Sequence, residues 1–353
     1  MKLFFCQQCG NAVYFENTSC VRCGAHLGFV PEIAKLVNFE VASETSWRRM
    51  GDRREFRPCA NRDHHLSCNW MVPAESESEF CLSCSLSRTI PNLDDERRIE
   101  LWVDIERAKR RLIYSLLRFG LIGENGHPLP QPQFDLLSPE VQKDPVMTGH
   151  ANGLITLNIE EADPAHREKV RSELDEPYRT LLGHFRHESA HFYWEAFFGA
   201  GQGVEEFRRV FGDEREDYQK ALEAHYAQGP QPGWEQQFVT AYAASHPWED
   251  WAETWAHYFH IVDLLETALH FGINLRPDLR GQLEADASAA SFDPYTADDF
   301  PTIVDRWLPI TLALNSLNRS IGQPDAYPFV LSSAVTEKLA YIHRLVRERG
   351  VVS

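Results

Sequence analysis

All eight cysteines of this 353-residue chain lie between Cys6 and Cys84, and this confinement constrains the fold more than any other feature. Cys6-x2-Cys9-x10-Cys20-x2-Cys23 is a pair of Cys-x-x-Cys knuckles. Each knuckle folds two thiolates onto one ion, and two knuckles complete a tetrahedral shell. A segment as short as residues 1–30 buries too little apolar surface to fold alone, so the metal supplies its folding energy. The second set, Cys59-x8-Cys68-x12-Cys81-x2-Cys84, has one knuckle and one loose pair, with His64 and His65 between the first two cysteines as substitute ligands. Two structural zinc ions are expected. The opening Met1–Cys6 run is too short for a signal peptide. The chain therefore reads as cytoplasmic, where cysteines more often bind metal than form disulfides.

The charge is unevenly placed. The chain carries 35 Lys+Arg against 52 Asp+Glu, a net of −17. Residues 1–90 are balanced, so the whole excess falls on residues 91–353. An acidic body argues against broad nucleic-acid binding, because phosphate backbones demand positive charge. The cluster Arg48, Arg49, Arg53, Arg54 and Arg57 keeps a nucleic-acid or protein partner open for the N-terminal modules, although a solvated face is the blander reading. No stretch approaches 18 consecutive apolar residues, so neither a membrane span nor a membrane partner is expected.

Three segments follow: 1–30, a four-cysteine ribbon; 31–90, a linker and second four-cysteine module, with 31–58 as the bridge; and 91–353, one large domain. Asp94-Asp95-Glu96 caps a helical pattern running to Gly120. Residues 121–150 read as loop and Leu154–Ile159 as a short strand, a candidate edge for pairing with an extended peptide. Helices are expected over 177–198, with Pro177 in the first turn, and over 201–228, 248–271, 301–320 and 332–348.

His187-Glu188-Ser189-Ala190-His191 is H-E-x-x-H. On a helix, positions i and i+4 face the same way, so both imidazoles reach one zinc. Glu188 then sits beside the open coordination position, where it serves as general base for a zinc-activated water. A catalytic zinc needs a third protein ligand. His246-Pro247 breaks the chain, Glu249 falls in the first turn of the next helix, and Glu253 is one turn later on the same face. The pair suits a ligand carboxylate and a carboxylate that holds a ligand imidazole. Asp250 and His257 are weaker ligand candidates, and His184 is more simply a surface or core histidine. Trp248, Trp251, Trp255, Tyr258 and Phe259 read as helix core. Arg186, directly before the first imidazole, departs from the apolar residue usual there.

The Glu249-x-x-x-Glu253 spacing resembles the glutamate-ligand zinc peptidases. Tyr242, seven residues before Glu249, matches the tyrosine–glutamate spacing of the lethal-factor type, which implies a hydroxyl that steadies the oxyanion. The chain as a whole resembles the bacterial family that joins a zinc ribbon to a zinc-binding metallopeptidase. The carrying segments are Cys6–Cys23, Tyr178–Trp194, Pro247–His260 and Leu314–Leu331. The resemblance implies a mostly α, α+β architecture with N-terminal ribbon modules and a zincin-like domain over 91–353, and an activity that the family takes from its motif. Ala190 stands where Gly is usual. The 314–331 stretch has no mechanism readable from its residues.

The expected function is zinc-dependent peptide-bond hydrolysis of a peptide or protein substrate. One catalytic zinc is held by His187, His191 and Glu249, with Glu188 as base, Tyr242 assisting and Glu253 behind a ligand imidazole. The alternative is a non-catalytic zinc adaptor that recruits a protein or nucleic-acid partner through its cysteine modules. The intact Glu188 favours the enzyme, since a structural site has no need of that carboxylate.

Overall fold

The computed structural model describes residues 2–43, 45–52, 54–62, 68–123, 127–139, 146, 148–173, 176–273, 275 and 292–351. Among the described residues helix far outweighs strand, which makes this a mostly helical α+β protein. It divides into two units. One is built on Met1–Gly149 and Leu154–Lys169, the other on His150–Gly153 and Val170–Val351. The division runs through the stretch 91–353 that the sequence assigned to one domain.

In the first unit, strands β1 (Phe4–Phe5) and β2 (Ala12–Val13) pair antiparallel around the first knuckle. Gly10 and Gly24 adopt φ +70° and +74° and donate their N–H to the carbonyls of Cys6 and Cys20, each at 2.8 Å. Left-handed backbone of this kind costs glycine nothing, so each knuckle closes without strain. Then follow β3 (His26–Val30), β4 (Lys35–Val41), β5 (Trp47–Arg49), β6 (Glu55–Pro58) and β7 (Met71–Pro73), an antiparallel sheet in sequential order. A bridge from Phe29 to Trp70 brings the first strand to the last. Val30, Val37, Phe39, Phe56 and Met71 fill one core of this sheet. Residues 31–58 are therefore sheet as much as bridge. Arg48 pairs with Glu55, Arg49 with Asp52, and Arg54 with Glu32 and Glu75, while Arg57 donates to the carbonyls of Ser76 and Ser78. Arg53 lies outside the described residues.

Past α1 (Leu82–Ser85) and β8 (Ser87–Thr89), the long α2 (Glu96–Arg118) begins where the Asp95 carboxylate accepts from Arg98 N–H at 3.0 Å. Tyr114 of α2 packs on Phe15 and Phe29, at ring separations of 5.4 and 6.0 Å. The helix thus shares a core with the ribbon modules. Strand β9 (Gln133–Leu137) lies within the stretch read as loop. Its alternation is too brief to show as a period, yet Phe134 and Leu136 are fully buried. Strands β10 (Gly149–Ala151) and β11 (Leu154–Asn158) complete a sheet of order β10-β11-β9-β8, with β11 and β8 both parallel to β9. Strand β11 falls within Leu154–Ile159, the stretch read as an edge strand, and in this order it is an inner strand. Helix α3 (Pro164–Glu173) follows.

The second unit is helical: α4 (Leu181–Phe198), α5 (Val204–Phe211), α6 (Tyr218–Gln228), α7 (Pro247–His270), α8 (Phe300–Ser320) and α9 (Ser333–Arg349). Helix α4 starts later than expected, and Pro177 stays outside it. Thr180 is the cap, its hydroxyl accepting from Gly183 N–H at 3.0 Å, which satisfies a donor that a helix start otherwise leaves open. The stretch 201–228 is two helices, broken after Gly212 at φ +107°. Helices α4 and α7 pack through aromatic side chains. Tyr193 stacks on Trp255 at 5.3 Å, and Trp251 donates from its indole to the Ala190 carbonyl at 2.8 Å. Among the described residues no helix is long and apolar enough to cross a membrane.

Candidate metal centre

Helix α4 places His187 and His191 one turn apart, and the first turn of α7 places Glu249 against them. His246 caps α7, its ring nitrogen accepting from Trp248 N–H at 3.1 Å, and Pro247 occupies the first helical position. His187 Nε2 lies 3.3 Å from His191 Nε2 and 3.0 Å from Glu249 Oε2, and His191 Nε2 lies 3.7 Å from Glu249 Oε1. A tetrahedral zinc with bonds of about 2.0–2.2 Å sets its ligand atoms roughly 3.3 Å apart, so the three side chains have the spacing of a zinc shell. Glu249 Oε2 is buried with no hydrogen-bond partner among the described residues. A buried bare carboxylate oxygen is costly unless a cation meets it.

The atoms that face away from this point are engaged. His187 Nδ1 lies 2.7 Å from Glu253 Oε1, and Thr240 donates to Glu253 Oε2 at 2.8 Å. Thr240 also accepts from Ala243 N–H at 3.0 Å, which fixes the short 3-10 turn carrying Tyr242. Tyr218, the first residue of α6, donates to Glu249 Oε1 at 2.7 Å. The Tyr242 ring lies 6.0 Å from that of His187. Burial pushes the Glu249 carboxyl up, but His191, His187 and the Tyr218 hydroxyl outweigh it and hold it at about 2. Burial likewise disfavours the Glu253 carboxylate, and His187 overcomes it. For His187 burial opposes the charge, yet the two glutamates raise the imidazole well above its usual value, whereas at His191 burial prevails and lowers it. The Glu249 and Glu253 carboxyls are thus both held toward their ionised form. Glu188 is buried beside it, close enough for its charge to act on His191 and Tyr218.

The weaker candidates turn elsewhere. Asp250 accepts from Lys338 at 2.6 Å. His257 Nδ1 lies 2.6 Å from the Tyr327 hydroxyl, and Asn315 holds the Tyr327 backbone from both sides at 2.8 and 3.0 Å. The 314–331 stretch thereby buttresses α7 behind the centre. His184 Nε2 lies 3.2 Å from the Arg179 guanidinium. Arg186 turns into the α4–α7 interface, where it meets Asp263 and His260, which accounts for a charged residue at that position. Neither Tyr218 nor Thr240 was singled out by the sequence, since neither stands at a fixed spacing from the metal motif.

Both cysteine sets converge. Cys6 Sγ and Cys23 Sγ lie 3.6 Å apart, as do those of Cys9 and Cys20, and Cys68 and Cys81 are separated by 3.7 Å. Within each set the four sulfurs lie within 4.8 Å of one another. Disulfide sulfurs would sit about 2.05 Å apart, whereas Zn–S bonds of about 2.3 Å place tetrahedral sulfurs roughly 3.8 Å apart. Asn38 donates to Cys6 Sγ at 3.2 Å, and the Trp70 and Cys81 amides donate to Cys68 and Cys59 at 3.4 and 3.3 Å. Burial, then Cys59 and Cys68, push the Cys81 thiol far up, so this donor set needs a cation to ionise. His64 and His65 lie outside the described residues, and four cysteines meet without them.

A family model described as "Putative zinc-binding metallo-peptidase" matches residues 98–345. The chain belongs to this family. A zinc-ribbon domain model matches residues 3–95. Uncharacterized proteins of Mycobacterium bovis and Mycobacterium tuberculosis are each 41% identical over 353 residues, covering 99% of this chain and 96% of theirs. No solved structure matches it. Zinc binding thus rests on both family matches and on the two four-cysteine sets.

Proposed function

We propose that this metallopeptidase-family chain hydrolyses peptide bonds at the His187–His191–Glu249 centre. The observation that carries the reading is the convergence of one ligand atom each from His187, His191 and Glu249, with the buried Glu249 Oε2 lacking a hydrogen-bond partner among the described residues. A zinc ion held there would supply Lewis acidity, polarising a carbonyl and lowering the pKa of a water. Glu188 then takes the proton from the attacking water as its oxygen adds to the scissile carbonyl carbon. It returns that proton to the amine nitrogen as the C–N bond breaks. Tyr242 donates its hydroxyl to the carbonyl oxygen as negative charge develops. Glu253 holds His187 through Nδ1, which fixes the tautomer that leaves Nε2 free.

The test is cleavage of a denatured protein mixture by the full chain, abolished by a chelator and restored by zinc. Uptake of a third ion with no cleavage across a broad substrate screen would instead favour the adaptor role.

A further inference from the structure

Tyr218 belongs to no motif, yet its hydroxyl touches the candidate ligand carboxylate. It opens α6, a helix with no buried residue of its own. Its ring meets His246 edge-on at 5.1 Å and Trp248 at 6.0 Å, and its hydroxyl donates to Glu249 Oε1 at 2.7 Å. The two oxygens of Glu249 are thus unlike. Oε1 is engaged by a phenol, while Oε2 lies 3.0 Å from His187 Nε2 with no hydrogen-bond partner.

A carboxylate binds a metal through one oxygen or through both. A hydrogen bond to one oxygen occupies a lone pair and favours the other. We propose that Tyr218 is a positioning residue that ties down Glu249 Oε1 and so presents Oε2 alone to the metal. One-oxygen ligation keeps the coordination number low and leaves a position for water and substrate, which a catalytic zinc site requires. This rests on the metal-site reading above. Tyr242 has no such role: it lies beside the His187 ring, and its hydroxyl meets those of Tyr218 and Tyr226 rather than the Glu249 carboxylate.

The experiment uses the full chain as wild type, Tyr218→Phe and Tyr242→Phe, with zinc retained in the cysteine sets and the third site refilled with Co2+. Tyr218→Phe removes only the hydroxyl and keeps the ring against His246 and Trp248. It should weaken third-site Co2+ affinity about 10–100-fold, the usual cost of losing such a partner. It should also dim the visible Co2+ absorption, because two-oxygen ligation raises the coordination number. Tyr242→Phe removes a neighbour of the Tyr218 hydroxyl but leaves its bond to Glu249 Oε1 in place, so it should do neither. A Tyr218→Phe protein with wild-type affinity and spectrum overturns the proposal, and so does weaker affinity with an unchanged spectrum. A wild type that takes up no third ion overturns the metal site as well. A third ion bound normally by Tyr218→Phe sinks the positioning role alone.

Discussion

Asp250 and Lys338 form a buried ion pair at 2.6 Å, on the residue directly after the candidate ligand Glu249. Two adjacent carboxylates on α7 are thus divided between tasks by the helical turn. Glu249 faces α4 and its histidines, and Asp250 faces α9. Lys338 also donates to the Gln237 carbonyl at 2.7 Å, so the pair ties down the segment leading to Thr240.

Removing these two carboxylates should therefore fail in different ways. Asp250→Ala leaves a buried lysine without its counter-charge and should cost about 3–5 kcal/mol of stability, with third-site metal retained in the folded fraction. Glu249→Ala should lose the third metal and keep most of its melting temperature. Glu253→Ala should weaken metal affinity about 10–100-fold. Thermal melts paired with metal titrations separate the three, and loss of metal in folded Asp250→Ala would refute the division.

Metal content should reach about three zinc ions per chain, two in the cysteine sets and one at the histidines. Cys9→Ser should loosen the first ribbon and release one ion, because the metal supplies folding energy there. Elemental analysis of protein purified without chelator gives the count. Complete zinc loss from Cys9→Ser would show that the sites are not independent.

Arg110 should strengthen the second cysteine set. It is buried, and its Nη1 has no hydrogen-bond partner among the described residues. Burial opposes its charge, but Cys68, Glu106, Cys84 and Cys81 outweigh it. Four thiolates on one dication leave a net −2, and a buried guanidinium offsets half of it. Arg110→Met should therefore speed zinc release from Cys59–Cys84 to a chelator while leaving Cys6–Cys23 unchanged. Equal release rates in variant and wild type would remove this role.

Glu188→Gln should separate chemistry from binding. No ligand is lost, so the fold and three ions should persist, while hydrolysis falls at least about 10²-fold, the low end of general-base contributions. Tyr242→Phe should be milder, since one donor is lost while the metal remains. Activity retained in Glu188→Gln would exclude it as the base.

What the sequence determined alone was whatever rests on local spacing. Two cysteines three apart form a knuckle, two histidines four apart share a helix face, and a proline after His246 starts α7 with Glu249 in its first turn. These are one-turn relations, dictated by backbone geometry before any tertiary contact forms. The tertiary structure decided the rest. Packing around α7 sent Asp250 to Lys338 of α9, His257 to Tyr327 and Asp263 to Arg186 of α4, three pairings 70 or more positions apart in the chain. It brought Tyr218 to Glu249 from 31 positions away and joined α2 to the ribbon core through Tyr114. It also paired Gln133–Leu137 in parallel with β8 and β11, where a five-residue strand draws its stability from neighbours distant in sequence. No local pattern encodes such contacts, because their free energy comes from burial that only the assembled chain provides.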